Sequence, residues 1–249
     1  MLVTQYRIGL DGTKSEIAYM TDYATIASES RLKVLDLVYK AQTSHIGSLF
    51  SCADIMAVLF EKLDLDKDRF VLSAGWKAAM LYYHMWRKGL ITEEELDSYC
   101  QPESKWIGLA EPVHPFIKIA GGSMGLGLPG AVGLAMVKKI KGEEGTVYVL
   151  MSDGELQCGT TWEASLIAAK QKLDNLVVVV DNNGFQAMGK TENILHARFP
   201  STGWDEWTVD GHSFHGIEHA FNCVFVHMDV SQLKIGLPQV IIASTTKGK

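Results

Sequence analysis

Residues 147–186 read VYVLMSDGELQCGTTWEASLIAAKQKLDNLVVVVDNNGFQ. Val147–Met151 is an apolar run with no polar alternation, the pattern of a strand buried on both faces. Leu176–Val180 is a second run of the same kind. Between them, over roughly 160–173, apolar residues fall at helical spacing. Strand, helix and strand in so short a span predict a βαβ unit with parallel strands.

The same alternation extends outward. Helical spacing covers about 22–40 and 52–62, then Phe70–Ser73 forms a short apolar run closed by Gly75. Helical patterns follow at about 77–88 and 92–99. Residues 101–120 contain Pro102, Pro112 and Pro115 and read as loop. Ile117–Ala120 leads into GGSMGLGLPG (121–130) and a helix to about Lys141. Apolar runs recur at Trp207–Val209 and Val240–Ala243, with Gly211 and Gly216 punctuating the segment between. The expected class is α/β, a central parallel sheet with helices on both faces. Residues 1–249 read as one domain, with 1–20 as a peripheral N-terminal segment.

Composition excludes several functions. A chain of 249 residues that is 47% hydrophobic supports a sizeable core. No run of about 18 apolar residues predicts a transmembrane helix, and MLVTQYRIGLDGTKSE lacks a basic-then-apolar leader. A net charge of -6 argues against a nucleic-acid or membrane partner, since neutralising phosphates needs a basic face. Cys52, Cys100, Cys158 and Cys223 lie far apart without a C-x-x-C pair, so a reducing cytoplasm is expected. His215 and His219 are four apart, with no acidic partner motif to make a metal site.

Two segments carry chemistry: Ser152-Asp153-Gly154 and Asp181-Asn182-Asn183. Each follows the C-terminal end of an expected parallel strand, where open α/β sheets bind ligands. Alone, either is an ordinary strand-end turn. Together, thirty positions apart between Asp153 and Asn183, they form an oxygen-only set. Asp153, Asn183 and a backbone carbonyl suit a hard cation such as Mg²⁺, which keeps few protein ligands and bridges to phosphate oxygens. Gly154 lets the backbone approach a diphosphate. A second reading comes from Gly125-Leu126-Gly127-Leu128-Pro129-Gly130, which matches the G-x-G-x-x-G outline of a dinucleotide fold with Asp153 downstream. It ranks lower because the preceding strand is short, Pro129 sits early in the helix, and DNN is left without a task.

Five segments carry a family resemblance: SHIGSLFSCADIMAVLF (44–60), DRFVLSAG (68–75), GGSMGLGLPGAVGLAM (121–136), SDGELQCGTTWEASLIAAKQKLDNLVVVVDNNGFQ (152–186) and STTKGK (244–249). They resemble, in order and over roughly 20–249, the N-terminal half of transketolase in its split, two-chain form. The resemblance implies thiamine diphosphate and Mg²⁺ (or Ca²⁺ or Mn²⁺ in its place) as cofactors. It makes Asp153 and Asn183 metal ligands through their side chains and Phe185 through its carbonyl. Gly154, Glu155, Ala187 and Trp76 fall on the cofactor side, and Gly122, Ser123 and Met124 line the aminopyrimidine and thiazolium region. His45 matches the histidine beside the reacting carbons and is the expected catalytic residue.

The implied reaction moves a two-carbon ketol unit from a ketose to an aldose. The implied partner is a C-terminal transketolase subunit with the pyrimidine-binding and C-terminal domains, the two chains assembling as a heterotetramer, and the substrates are sugars or sugar phosphates. Departures from the pattern point to an unusual sugar or a secondary-metabolite substrate. Trp76 and Leu109 stand where the family has histidines, with His114 a spatial substitute for the second. Cys158 replaces a glutamate, Ser152 a glycine and Met188 an aspartate. Another thiamine diphosphate enzyme subunit, such as a 2-oxo-acid dehydrogenase α chain or a deoxyxylulose-phosphate synthase, and a non-catalytic scaffold are the alternatives.

Overall fold

The computed structural model describes residues 2–8, 14–191, 199–226 and 236–249. At its centre lies a five-stranded sheet built from β3 (Arg69–Leu72), β4 (Val147–Ser152), β5 (Leu176–Asn182), β8 (Asp205–Asp210) and β9 (Gln239–Ser244). The strand order is β3-β4-β5-β9-β8 and every pairing is parallel. The helix α7 (Gly159–Lys170) makes the crossover between β4 and β5, as the spacing predicts.

The continuous apolar strands are explained by two separate cores. Phe70, Leu72, Tyr148, Leu150, Val177, Val179, Ile241 and Ala243 point to one face. There they meet α1 (Tyr23–Ala41), α3 (Ala53–Lys62), α4 (Ala78–Arg87) and α8 (Phe214–Val226). The residues between them, Val71, Val147, Val149, Met151, Leu176, Val178, Val180, Val240 and Ile242, point to the other face. These pack on α6 (Gly127–Lys141) and α7. Side chains alternate across a strand, so only a sheet covered on both faces uses apolar residues at every position. Leu150→Ala is therefore expected to cost about 2–5 kcal/mol in chemical denaturation. Leu166→Ala, on a side chain 56% exposed on α7, is expected to change stability by less than about 0.5 kcal/mol.

Other expectations are modified. Residues 2–8 and 14–20 form an antiparallel hairpin, β1 and β2, with no strand in the main sheet. A short helix, α2 (Ile46–Ser51), precedes α3, and α5 (Glu93–Asp97) is shorter than its apolar pattern. Gly211 does end β8 in a turn, but Gly216 does not break the chain. Gly216 lies in the first turn of α8, whose Ile217, Ala220, Phe221 and Val224 are buried. Packing of that stripe outweighs the roughly 1 kcal/mol that a helical glycine loses. Residues 185–186 and 189–190 pair as a small hairpin, β6 and β7. Loop 101–120 holds no helix or strand. Among the described residues no helix is long and apolar enough to cross a membrane.

Candidate active site

Register puts the two chemical segments side by side. Ser152, the last residue of β4, pairs with Asp181 in β5. The chain beyond β4 turns at once into a 3-10 turn, Asp153–Gln157, closed by a capping box in which Ser152 N–H donates to Glu155 at 2.9 Å. Asp153 is 4% exposed. One carboxylate oxygen accepts from Gly154 N–H at 3.0 Å. The other accepts from Gly184 N–H and the Thr191 hydroxyl, both at 2.8 Å. Asp153 thus ties the β4 turn to the loop after β5. Burial raises its carboxyl above the usual range, against the lowering pull of Thr191 and Gly184.

On the β5 side, Asn183 closes a turn in which its Oδ1 accepts from Phe185 N–H at 3.1 Å. Its Nδ2 faces Asp181 Oδ2 at 3.4 Å and Ser51 Oγ at 3.5 Å. Asp181 is fully buried and forms an ion pair with Lys77, also fully buried. The same carboxylate accepts from Ser51 at 2.6 Å and from Thr245. Two effects compete at Lys77. Burial pulls its pKa down, and the charges of Asp181 and Cys52 outweigh that and hold it above its ordinary value.

These loops wall a cleft of about 410 Å³ at the C-terminal edge of the sheet. Of the residues singled out by sequence, His45, Trp76, Met124, Gly154, Asn183, Phe185 and Ala187 line it. Gly122, Ser123, Asp153 and Glu155 do not. Asp153 lies buried next to the lining Gly154, whereas Ser123 is exposed beside the lining Met124. The Glu155 carboxylate turns inward, accepting from Ser73 Oγ at 2.5 Å and Gly125 N–H at 3.3 Å. It braces the glycine-rich loop against the end of β3. Burial raises its carboxyl, with Ser73, Ser152 and Gly125 opposing.

His45 starts α2 with a positive φ of 74°, its ring centroid 6.4 Å from that of Trp76. Burial, and then the Lys247 charge, lower its pKa, so the ring is neutral at pH 7. His114 packs beside Trp106, ring centroids 6.2 Å apart, and is absent from the cleft lining, so it does not replace a cleft histidine. The glycines of 125–130 also find their use. Gly125 has φ +78° against Cys158 and Thr160, and a Cβ on Gly127 would overlap Ser73. They serve close packing of loop on strand, which removes the motivation for a dinucleotide cradle.

Sequence reasoning left out Lys247, Ser48 and Gln186, which line the cleft, and the Lys77–Asp181 pair beneath it. Lys247 lies in the STTKGK segment, and its ammonium stands 5.3 Å from the Phe185 ring centroid. Lys77 had a signal: a lysine at the head of the otherwise apolar AAMLYY. Among the described residues no three His, Cys, Asp or Glu side chains gather as a metal site.

Residues 23–248 match the family model described as "Transketolase, thiamine diphosphate binding domain". The chain is 32% identical over 237 residues to one of the subunits of the apulose-4-phosphate transketolase of Phocaeicola vulgatus, covering 90% of this chain and 82% of that protein. It is 34% identical over 241 residues to human transketolase, covering 90% of this chain but 37% of the human one. Among solved structures, transketolase of Campylobacter jejuni superposes with a TM-score of 0.84 at 29% identity, over 93% of this chain and 38% of that one. The chain therefore spans little more than a third of that structure. With a matched domain, a matched fold and relatives above 30% identity, the chain belongs to the transketolase family, as its thiamine diphosphate-binding domain.

Proposed function

We propose that this chain is the cofactor-binding subunit of a two-chain transketolase that moves a two-carbon ketol unit from a ketose to an aldose. The observation that carries this reading is the convergence of Gly154, Asn183, Phe185 and Lys247 on one cleft, with the Asp153 carboxylate directly behind Gly154. On this reading 1–249 is one diphosphate-binding domain and 1–20 is peripheral, in keeping with a family match that starts at residue 23.

The donor chemistry fits the group. Asp153, the Asn183 amide oxygen and the Phe185 carbonyl would supply three hard oxygens to Mg²⁺, leaving positions for phosphate oxygens. Asp153, Glu155 and Asp181 are buried around the buried ammonium of Lys77, so a divalent cation would offset an excess of negative charge. Thiamine diphosphate, when bound, supplies a nucleophilic carbon and the electron sink for the carbon–carbon bond that breaks and re-forms.

The chain's own residues do the rest. Gly154 presents backbone to the diphosphate, and Lys247 brings a cation to the same cleft. Met124 would border the aminopyrimidine, held by the adjoining Gly122–Ser123 segment, with Ala187 and Trp76 on the cofactor side. The lining of Ile46, Trp76, Met124 and Phe185 is apolar, so once a second chain covered the cleft it would exclude water and strengthen the polar contacts inside. His45, neutral at pH 7, can exchange a proton or hydrogen bond with a substrate hydroxyl. Trp76 shifts acceptance away from polar, phosphorylated sugars toward an altered or bulkier acceptor, whereas Leu109 packs near Gly122 and does not line the cleft.

A second chain is required on this reading. Met124 and Phe185 border the cleft yet are 41% and 42% exposed, and Met188 is 92% exposed. Such an apolar rim suits a pyrimidine-binding and C-terminal subunit closing over it. Two relatives are themselves named as one subunit of an apulose-4-phosphate transketolase. The test is ketol transfer by the purified chain with thiamine diphosphate and Mg²⁺, with and without that second chain. No turnover alone and turnover on mixing is expected; full turnover by the isolated chain overturns the two-chain reading.

A further inference from the structure

Lys247 is exposed and runs along Gly47, so its own side chain does not fix where its ammonium stands. The backbone of 245–249 does, and it is tied at several points. Thr245 N–H donates to Asn182 at 3.0 Å and Gly248 N–H to Gly47 at 2.9 Å. Thr246 N–H donates to His212 Nε2 at 2.9 Å, and Arg31 Nη2 donates to the Lys249 carbonyl at 3.0 Å. The last two ties converge on Asp54, 6% exposed on α3. Arg31 forks onto its carboxylate at 2.8 and 2.9 Å, and His212 Nδ1 lies 2.7 Å from Oδ2.

This arrangement dictates the tautomer. A backbone N–H can only donate, so Nε2 of His212 must accept, and the ring proton sits on Nδ1, donated to Asp54. A protonated ring would place one donor against another at Thr246. The charged groups facing the ring are Asp54 from α3, Arg31 from α1, Lys249, and Asp210, which accepts from the His212 backbone N–H at 2.9 Å.

We propose that His212, oriented by Asp54 and Arg31, is a positioning residue that holds the 245–249 backbone so that Lys247 meets an anionic ligand in the cleft. The inference rests on reading the cleft as a diphosphate site.

The test uses the full chain with thiamine diphosphate and Mg²⁺. His212→Phe keeps ring volume without an acceptor; His212→Gln keeps an acceptor. His212→Phe is expected to weaken calorimetric affinity on the order of five- to tenfold, the worth of one hydrogen bond. Lys247→Met should weaken it too, and the double variant should be no weaker than Lys247→Met alone. Full additivity overturns the proposal. Hydrogen exchange of the Thr246 amide, corrected for intrinsic rate, gives an independent readout. Protection should fall in His212→Phe, where the acceptor is gone, and should be kept in His212→Gln. Thr246 is exposed, so an amide that exchanges unprotected in the wild type overturns the proposal, and this readout stands even where His212→Phe does not fold. A wild-type chain that fails to bind thiamine diphosphate overturns the diphosphate reading instead, while the exchange measurement still decides whether His212 holds the segment.

Discussion

Lys77→Met is expected to lower the stability of the chain by about 3–5 kcal/mol, the loss found when one partner of a buried ion pair is removed. Lys77 and Asp181 are both fully buried, and Asp181 has no solvent to turn to. The hydroxyls of Ser51 and Thr245 still donate to the carboxylate in the variant, but neither carries charge. Against a typical domain stability of about 5–15 kcal/mol, the loss is a large share. The four donors around Asp181 come from different segments: Ser51 from α2, Lys77 from the turn after β3, Thr245 from beyond β9, and Asn183. Each of those segments also supplies the cleft lining, through Ser48, Trp76, Lys247 and Asn183. Loss of the pair is therefore expected to loosen the cleft as well as the core. The check is a double-mutant cycle in urea with Lys77→Met, Asp181→Asn and the pair together. The double variant should recover much of the loss, since a buried pair replaced by neutral groups is often harmless. Simple addition of the two single losses would mean the charges do not interact.

How far the sequence reaches is visible in these same residues. Val147–Met151 and Leu176–Val180 are apolar at every position because two helical layers cover them, and that pattern is local enough to read. The end-of-strand position of Asp153 and Asn183 follows from where those runs stop. Nothing local reveals that Asp181 lies under Asn183 with Lys77 against it, because Lys77 and Asp181 are 104 residues apart in sequence. The same holds for Thr246 and His212, joined across 34 residues. Helix α8 is hidden for another reason: Gly216 in its first turn looks like punctuation, and only packing of Ile217, Phe221 and Val224 on the sheet overrides it. Glu155 reads as a site residue by its motif, yet its carboxylate directs its acceptors to Ser73, Ser152 and Gly125. Motif position places a residue near a site; only the hydrogen bonds say which way it faces.

Asp153→Asn is expected to abolish stabilisation by thiamine diphosphate and Mg²⁺ while leaving the ligand-free chain folded. A ligand at about one hundred times its dissociation constant stabilises the native state by about 2.7 kcal/mol, and that increment should disappear. Asp153 is the only carboxylate in the proposed donor set. An amide has no charge to offset the dehydration of a small divalent ion, so affinity should fall by at least about 100-fold, beyond the range typical of outer-shell changes. The ligand-free effect has the opposite sign. Burial holds the Asp153 carboxyl above its usual range, so between the unfolded and folded values the native state binds more protons than the unfolded chain. Stability then falls as pH rises through that window, and the ionised acid opposes folding at neutral pH. Asparagine has no such charge and keeps an oxygen for Gly184 and Thr191, so ligand-free stability should stay within about 1 kcal/mol of wild type. Its pH dependence in that window should flatten. Scanning calorimetry with and without ligand measures both quantities in one experiment. Unchanged ligand stabilisation in the variant would remove the metal assignment, whereas loss of folding without ligand would mean that Asp153 serves the loop rather than the ion. Asn183→Ala gives a weaker discrimination, because the same amide also holds Phe185 N–H and its removal disturbs the loop and the donor set together.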